Sequence, residues 1–216
     1  MRSNRRHQHY TLWFVNQSLN GGQVCIYHDA GNIGCNHADM QALAWRVEVA
    51  NPRVEVCFQW STDYNFIWFD SERTKTRQII PAKVSSGSAV SLIRNSYGYD
   101  FQTSDEPLVN EKLSIKADAS VLPQNSGRVA IGMDGAGTFA LPVRPNTNVI
   151  FSPVPDSRLA YWISFGAYAL DINDPIDPAT LNLPSKFSFP ANVTTLTAIL
   201  NSQNEWTVHT GRPVGS

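Results

Sequence analysis

The chain has 216 residues, 42% of them apolar, enough to bury a core without disulfides, and no apolar run approaches the ~18 residues a membrane-spanning helix requires. Charged side chains are only 16%, against about a quarter in ordinary domains, and 17 basic residues balance 18 acidic ones. No charge excess exists to neutralise a phosphate backbone, so nucleic acid is excluded as a general partner, and the surface must be rich in neutral polar groups.

Residues 1–9 form a basic leader expected to be flexible, 10–210 a single folded domain, and 211–216 a flexible tail. Behind the leader the only apolar stretch is Leu12–Val15, shorter than the ~7–15 residues of a secretion signal's apolar core, which predicts a cytoplasmic protein or one exported by a non-classical route. The dominant period is two, and strands are predicted at 10–15 and 24–27. Next, Leu43, Trp45, Val47 and Val49 alternate with Ala44, Arg46, Glu48 and Ala50, a half-buried strand pattern, although Met40, Leu43, Ala44 and Val47 also fit a helical stripe. Asn51-Pro52 turns the chain into Val54, Val56, Phe58 and Trp60, which predicts an antiparallel hairpin. After a polar loop, Phe66-Ile67-Trp68-Phe69 suits a sheet covered on both faces.

Further strands are predicted at 79–84, 89–93, 97–101, 113–117, 129–133, 138–143, 148–151, 160–165, 193–200 and 206–209, separated by turn signals such as Asn95–Gly98 and Asn201–Asn204. Short strands at this spacing predict an all-β fold, an antiparallel β-sandwich of jelly-roll type, with the Pro-rich 174–184 stretch as a long surface connection. Gly132-Met133-Asp134-Gly135-Ala136-Gly137 has neither the spacing nor the following helix of a phosphate loop, and reads as a glycine hairpin needing positive φ or a bulge.

Candidate chemistry is sparse. Cys25, Cys35 and Cys57 cannot all pair within one chain and read as reduced thiols, with Cys25 and Cys57 as small buried hydrophobes. His28, Asp29, Cys35 and His37 match no zinc spacing. Asp171, Asn173, Asp174 and Asp177 crowd hard oxygen ligands as calcium loops do, but Pro175 and Ile176 stand where a ligand and the turn glycine belong, so a calcium site there needs a second loop. No Gly-x-Ser-x-Gly elbow or Cys/His signature appears, and the chain is expected not to be an enzyme and to need no resident cofactor. Tyr64, Tyr97 and Tyr99 lie in or beside polar turns, where exposed rings would stack on a sugar or anchor a protein interface.

Seven motifs in order, Leu12–Ser18, Val24–Tyr27, Leu43–Trp45, Phe58–Trp68, Ile131–Phe139, Tyr161–Gly166 and Leu196–Asn201, span most of the chain, and this set resembles the RhiA family. The resemblance implies a soluble bacterial protein, in rhizobia expressed in the rhizosphere under quorum-sensing control. It supplies no catalytic residue, and the leader, the 28–37 loop and the 171–177 segment depart from the family's pattern. The leading expectation is a non-enzymatic interaction protein that self-associates into a homo-oligomer, because few charges guard its strand edges. The alternative is a lectin-like carbohydrate-binding module with a glycan partner, using Tyr64, Tyr97 and Tyr99, with calcium at the acidic segment.

Overall fold

The computed structural model describes residues 8–69, 76–104, 111–123 and 127–213. The expected flexible ends at 1–7 and 214–216 lie outside them. The described chain is all-β, with three single 3₁₀ turns and no α-helix, and thus no helix long and apolar enough to cross a membrane. Its strands are β1 (His9–Asn16), β2 (Gly22–His28), β3 (Ile33–Cys35), β4 (Gln41–Ala42), β5 (Arg46–Ala50), β6 (Glu55–Ser61), β7 (Tyr64–Phe69), β8 (Thr76–Pro81) and β9 (Ser88–Asn95). The second half adds β10 (Gly98–Ser104), β11 (Leu113–Ala117), β12 (Arg128–Met133), β13 (Ala136–Pro142), β14 (Thr147–Pro153), β15 (Tyr161–Gly166), β16 (Ser185–Phe187), β17 (Thr195–Leu200) and β18 (Trp206–Thr210).

Four sheets result, in the orders β18-β17-β1-β6, β10-β9-β11-β14-β3, β4-β13-β12-β7-β8 and β16-β15-β2-β5. They form a sandwich-like all-β body, antiparallel except for the pairs β1 with β17 and β9 with β11. One hydrophobic cluster draws on all four sheets, including Leu12 and Phe14, Ile26 and Tyr161, Phe66 and Ile131, and Leu92 and Phe151. Inward-facing residues two apart on each strand meet there, as the period-two reading requires.

The expected hairpin between the 43–49 and 54–60 segments is not formed. β5 pairs with β2, and β6 pairs with β1 in a different sheet. Beyond Asn51-Pro52 the end of β1 captures the chain: Arg53 N–H donates to the Asn16 carbonyl at 2.7 Å and Asn16 N–H to the Val54 carbonyl at 3.0 Å. The turn therefore carries the chain from one sheet to another. The alternation before it also fails, since Leu43, Ala44 and Trp45 are all fully buried while Val49 is 62% exposed. Each of the three buried neighbours enters a different cluster: Leu43 joins Ile67, Phe69, Ala130 and Ala140, Ala44 joins Cys25, Tyr27 and Ile176, and Trp45 enters the main core. A segment bridging two sheets has no solvent side, so neither period two nor the helical stripe describes it.

Other expectations are met. β7 is covered on both faces, Phe66 in the main core and Ile67 and Phe69 in the second cluster. The β12–β13 hairpin turns through Asp134 (φ 52°) and Gly135 (φ 79°), with a bulge between Ile131 and Gly132. Positive φ at both central residues matches the right-handed twist of the flanking strands. The connection around 174–184 runs over the outer face of the β16-β15-β2-β5 sheet, with Ile176 packed on Cys25, Tyr27 and Ala44. The three cysteines are free; Cys25 is buried as expected, but Cys57 is exposed, because on β6 it faces away from inward Phe58 and Trp60.

Candidate functional site

Two features follow from how the strands are placed: a small cavity on the outer face of one sheet, and an open edge on another. In β2, Val24, Ile26 and His28 point inward, which turns Tyr27 outward; in β15, Tyr161, Ile163 and Phe165 point inward, which turns Trp162 outward. Register sets Trp162 directly beside Tyr27 on one strand and Lys186 on the other. The Tyr27 and Trp162 rings are nearly parallel, 8° apart with centroids 6.3 Å apart, and Lys186 Nζ stands 5.7 Å from the Trp162 ring.

Asp29, just past β2, closes the row. Its Oδ2 accepts from Trp162 Nε1 at 2.8 Å and pairs with Lys186 Nζ at 2.7 Å, and its Oδ1 accepts from Gly31 N–H at 2.9 Å, capping a 3₁₀ turn. Burial alone would raise this carboxyl, but the bonds from Lys186, Trp162 and Gly31, with the Lys186 charge, hold it below the ordinary carboxylate range. Between this row and the overlying connection lies a cavity of about 320 Å³, walled by Tyr27, Trp162, Phe139, Pro178, Pro184 and Asp29, with His28 also reaching it.

His28 is 4% exposed and set edge-on to Trp45 at 4.5 Å and Tyr161 at 4.9 Å. Asn32 determines its tautomer. The Asn32 amide is oriented by the Ala160 backbone, its Oδ1 accepting from Ala160 N–H at 2.9 Å and its Nδ2 donating to the Ala160 carbonyl at 2.6 Å. Its remaining N–H therefore donates to His28 Nδ1 at 3.1 Å, which leaves the imidazole proton on Nε2, buried and without a hydrogen-bond partner. Burial, helped by the nearby Arg46 charge, pulls the His28 pKa down to about 3.

Between its ordinary value near 6.5 and 3, the unfolded chain binds a proton at this position and the native chain does not, so stability must fall as pH falls through that window. The expected slope is about 1.4 kcal/mol per pH unit below 6.5, or about 2 kcal/mol by pH 5. Urea unfolding at pH 7.5 and pH 5 should show this component in the wild type and not in His28→Phe; equal acid sensitivity in both would contradict it.

The residues singled out from sequence do not gather into one site. Tyr64 is buried, correcting its expected exposure, because it opens β7 on the same inward face as Phe66. Tyr97 is 98% exposed at the tip of the β9–β10 turn, its N–H donating to Asn95 Oδ1. Tyr99 leans on Trp68 at 5.7 Å, and its hydroxyl accepts from Leu122 N–H. In the acidic segment the oxygens serve the backbone: Asn173 Oδ1 accepts from Gly137 N–H at 2.7 Å, Asp174 Oδ2 from Asp171 N–H at 2.8 Å, and Asp177 Oδ1 from Ala179 N–H at 3.0 Å. Among the described residues no group of three or more His, Cys, Asp or Glu side chains is placed to hold a metal. The row of Asp29, Tyr27, Trp162 and Lys186 was not legible in the sequence, since nothing local announces the pairing of β2 with β15.

One edge strand is β18, which among the described residues pairs with β17 alone. Its residues, Trp206, Thr207, Val208, His209 and Thr210, include no Lys, Arg, Asp, Glu or Pro, and the last four are exposed. Gly211 N–H donates to the Thr195 carbonyl, and Asn201 N–H to the Glu205 carbonyl, so the odd-numbered residues face β17. The backbone groups of Trp206, Val208 and Thr210 accordingly point outward. Exposed Glu205 and Arg212 flank the strand, one at each end.

A model of the RhiA family matches residues 7–211. The chain is also 28% identical over 213 residues to Protein RhiA of Rhizobium leguminosarum bv. viciae, across 93% of this chain and 86% of that protein. No solved structure matches.

Proposed function

Since the chain belongs to the RhiA family, we propose that it is a non-enzymatic interaction protein that self-associates by pairing the β18 edges of two copies, and that it acts in a bacterium's interaction with plant roots. The observation that carries the self-association is the edge of β18, uncharged and, among the described residues, unpaired on its outer side. Natural sheets guard such edges with lysine, proline or a covering loop, and this strand contains neither residue.

The edge is also self-complementary. Two antiparallel copies in register about Val208 set Val208 opposite Val208 and Trp206 opposite Thr210, so all three outward-facing residues of each strand find partners. The same register brings Glu205 of each copy to the Gly211-Arg212 end of the other, opposite charges at both ends of a two-fold contact.

Light scattering over a concentration series tests this. The wild type is expected to dimerise, and Val208→Pro, which removes an outward N–H while sparing the bonds to β17, is expected to weaken dimerisation by at least about tenfold. A wild type that stays monomeric at every concentration overturns the reading, as does a dimer indifferent to Val208→Pro.

A further inference from the structure

The cavity beside Trp162 is built for a particular kind of ligand. Its volume of about 320 Å³ is at the lower end of small-molecule sites, enough for a single ring with short substituents. Its walls are aromatic rings, prolines and alanines with the neutral His28, and Asp29 is the charged group on it. A carboxylate offers about four lone-pair positions. On Asp29 two of them, on Oδ2, take Trp162 and Lys186, and one on Oδ1 takes Gly31, which leaves room on Oδ1 for one further donor.

A half-open, mainly apolar pocket with one charged acceptor offers few partners to a sugar, whose several hydroxyls would go largely unpaired on its walls. It also selects against an anion, because Asp29 is itself ionised and already holds the Lys186 ammonium. We infer that the cavity between Trp162, Tyr27 and Pro178 is a binding site for a small neutral phenol, its ring against the aromatic and proline walls and its hydroxyl donating to Asp29 Oδ1. The site is independent of the β18 edge and of self-association. Tyr27 and Trp162 supply the flat wall, and Lys186 holds the Asp29 carboxylate in place from the far side.

Four probes, 4-methylphenol, toluene, 4-hydroxybenzoate and methyl β-glucoside, are titrated into the full-length protein, following heats of binding and the NMR signal of the Trp162 indole N–H that donates to Asp29. The expected result is saturable binding of 4-methylphenol about tenfold tighter than toluene, a shift of the indole signal, and no binding of the glucoside or the benzoate. Asp29→Asn should remove most of the advantage over toluene, the contrast a structural role alone would leave unchanged. Ala179→Phe, at an exposed position on the cavity's rim, should block both aromatic probes with the fold intact. Equal affinity for 4-methylphenol and toluene, preference for the glucoside or the benzoate, or no binding of any probe overturns the inference.

Discussion

Trp45→Ala is expected to lower the unfolding free energy by about 4 kcal/mol, the middle of the range for truncating a buried aromatic side chain. Trp45 has no exposed surface and stands where the two sheets on either side of it converge. Its indole Nε1 donates to the Met133 carbonyl at 2.9 Å, its ring lies edge-on to Trp60 at 5.2 Å and parallel to Tyr161 at 5.8 Å, and the Arg46 guanidinium covers it at 4.3 Å. Alanine removes these contacts, leaves a buried carbonyl without its donor, and opens a cavity that rigid neighbours on four strands cannot close. Trp45→Phe keeps most of the volume and should cost about half as much. Urea unfolding of both variants checks the order, and a loss below about 1.5 kcal/mol for alanine would show that the surrounding aromatics collapse into the space.

Gly132→Ala should be the most damaging change of a single methyl group, at about 3 kcal/mol. A Cβ at Gly132 would sit 2.5 Å from the Ala136 carbonyl oxygen, 2.6 Å from Asn65 Oδ1 and 2.6 Å from Ile67 Cδ1. The first of these is backbone in the paired strand, and Asn65 and Ile67 are buried in the strand on the other side, so nothing can yield without moving a sheet. Gly135 in the same hairpin is the contrast: a Cβ there meets nothing within 4 Å, although its φ of +79° strains any L-residue. Gly135→Ala is therefore expected to cost only about 1–2 kcal/mol, the ordinary penalty of the left-handed region. Denaturant midpoints at unchanged m-values would decide between them, and a cost at Gly132 no larger than at Gly135 would mean that crowding at the bulge relaxes freely.

The positions of most strands were readable because local alternation survives wherever a strand has one wet face. β1, β11 and β17 fall close to their predicted limits. The short β3, β4 and β16, of two or three residues, carry too little pattern to be seen and exist only because a neighbouring strand offers bonds. Of the predicted binding residues, Tyr97 is exposed at the polar Asn95–Gly98 turn. Tyr64, also next to a polar loop, went inward because strand phase outranks the polarity of flanking residues.

Composition and period two alone determined that this is an all-β protein with a hydrophobic core, turns at its Asn and Gly clusters and a glycine hairpin at 132–137. The ordered motifs determined its family. Only the tertiary structure decided that the Asn51-Pro52 turn joins different sheets, that β18 lies at the end of its sheet, and that Tyr27, Trp162 and Asp29 meet at a cavity with Lys186 bound to Asp29. The physical reason is the same in each case. Alternation encodes which way a side chain faces, a property of neighbours along the chain, whereas the choice of pairing partner depends on backbone bonds between segments far apart in sequence, which no local pattern specifies.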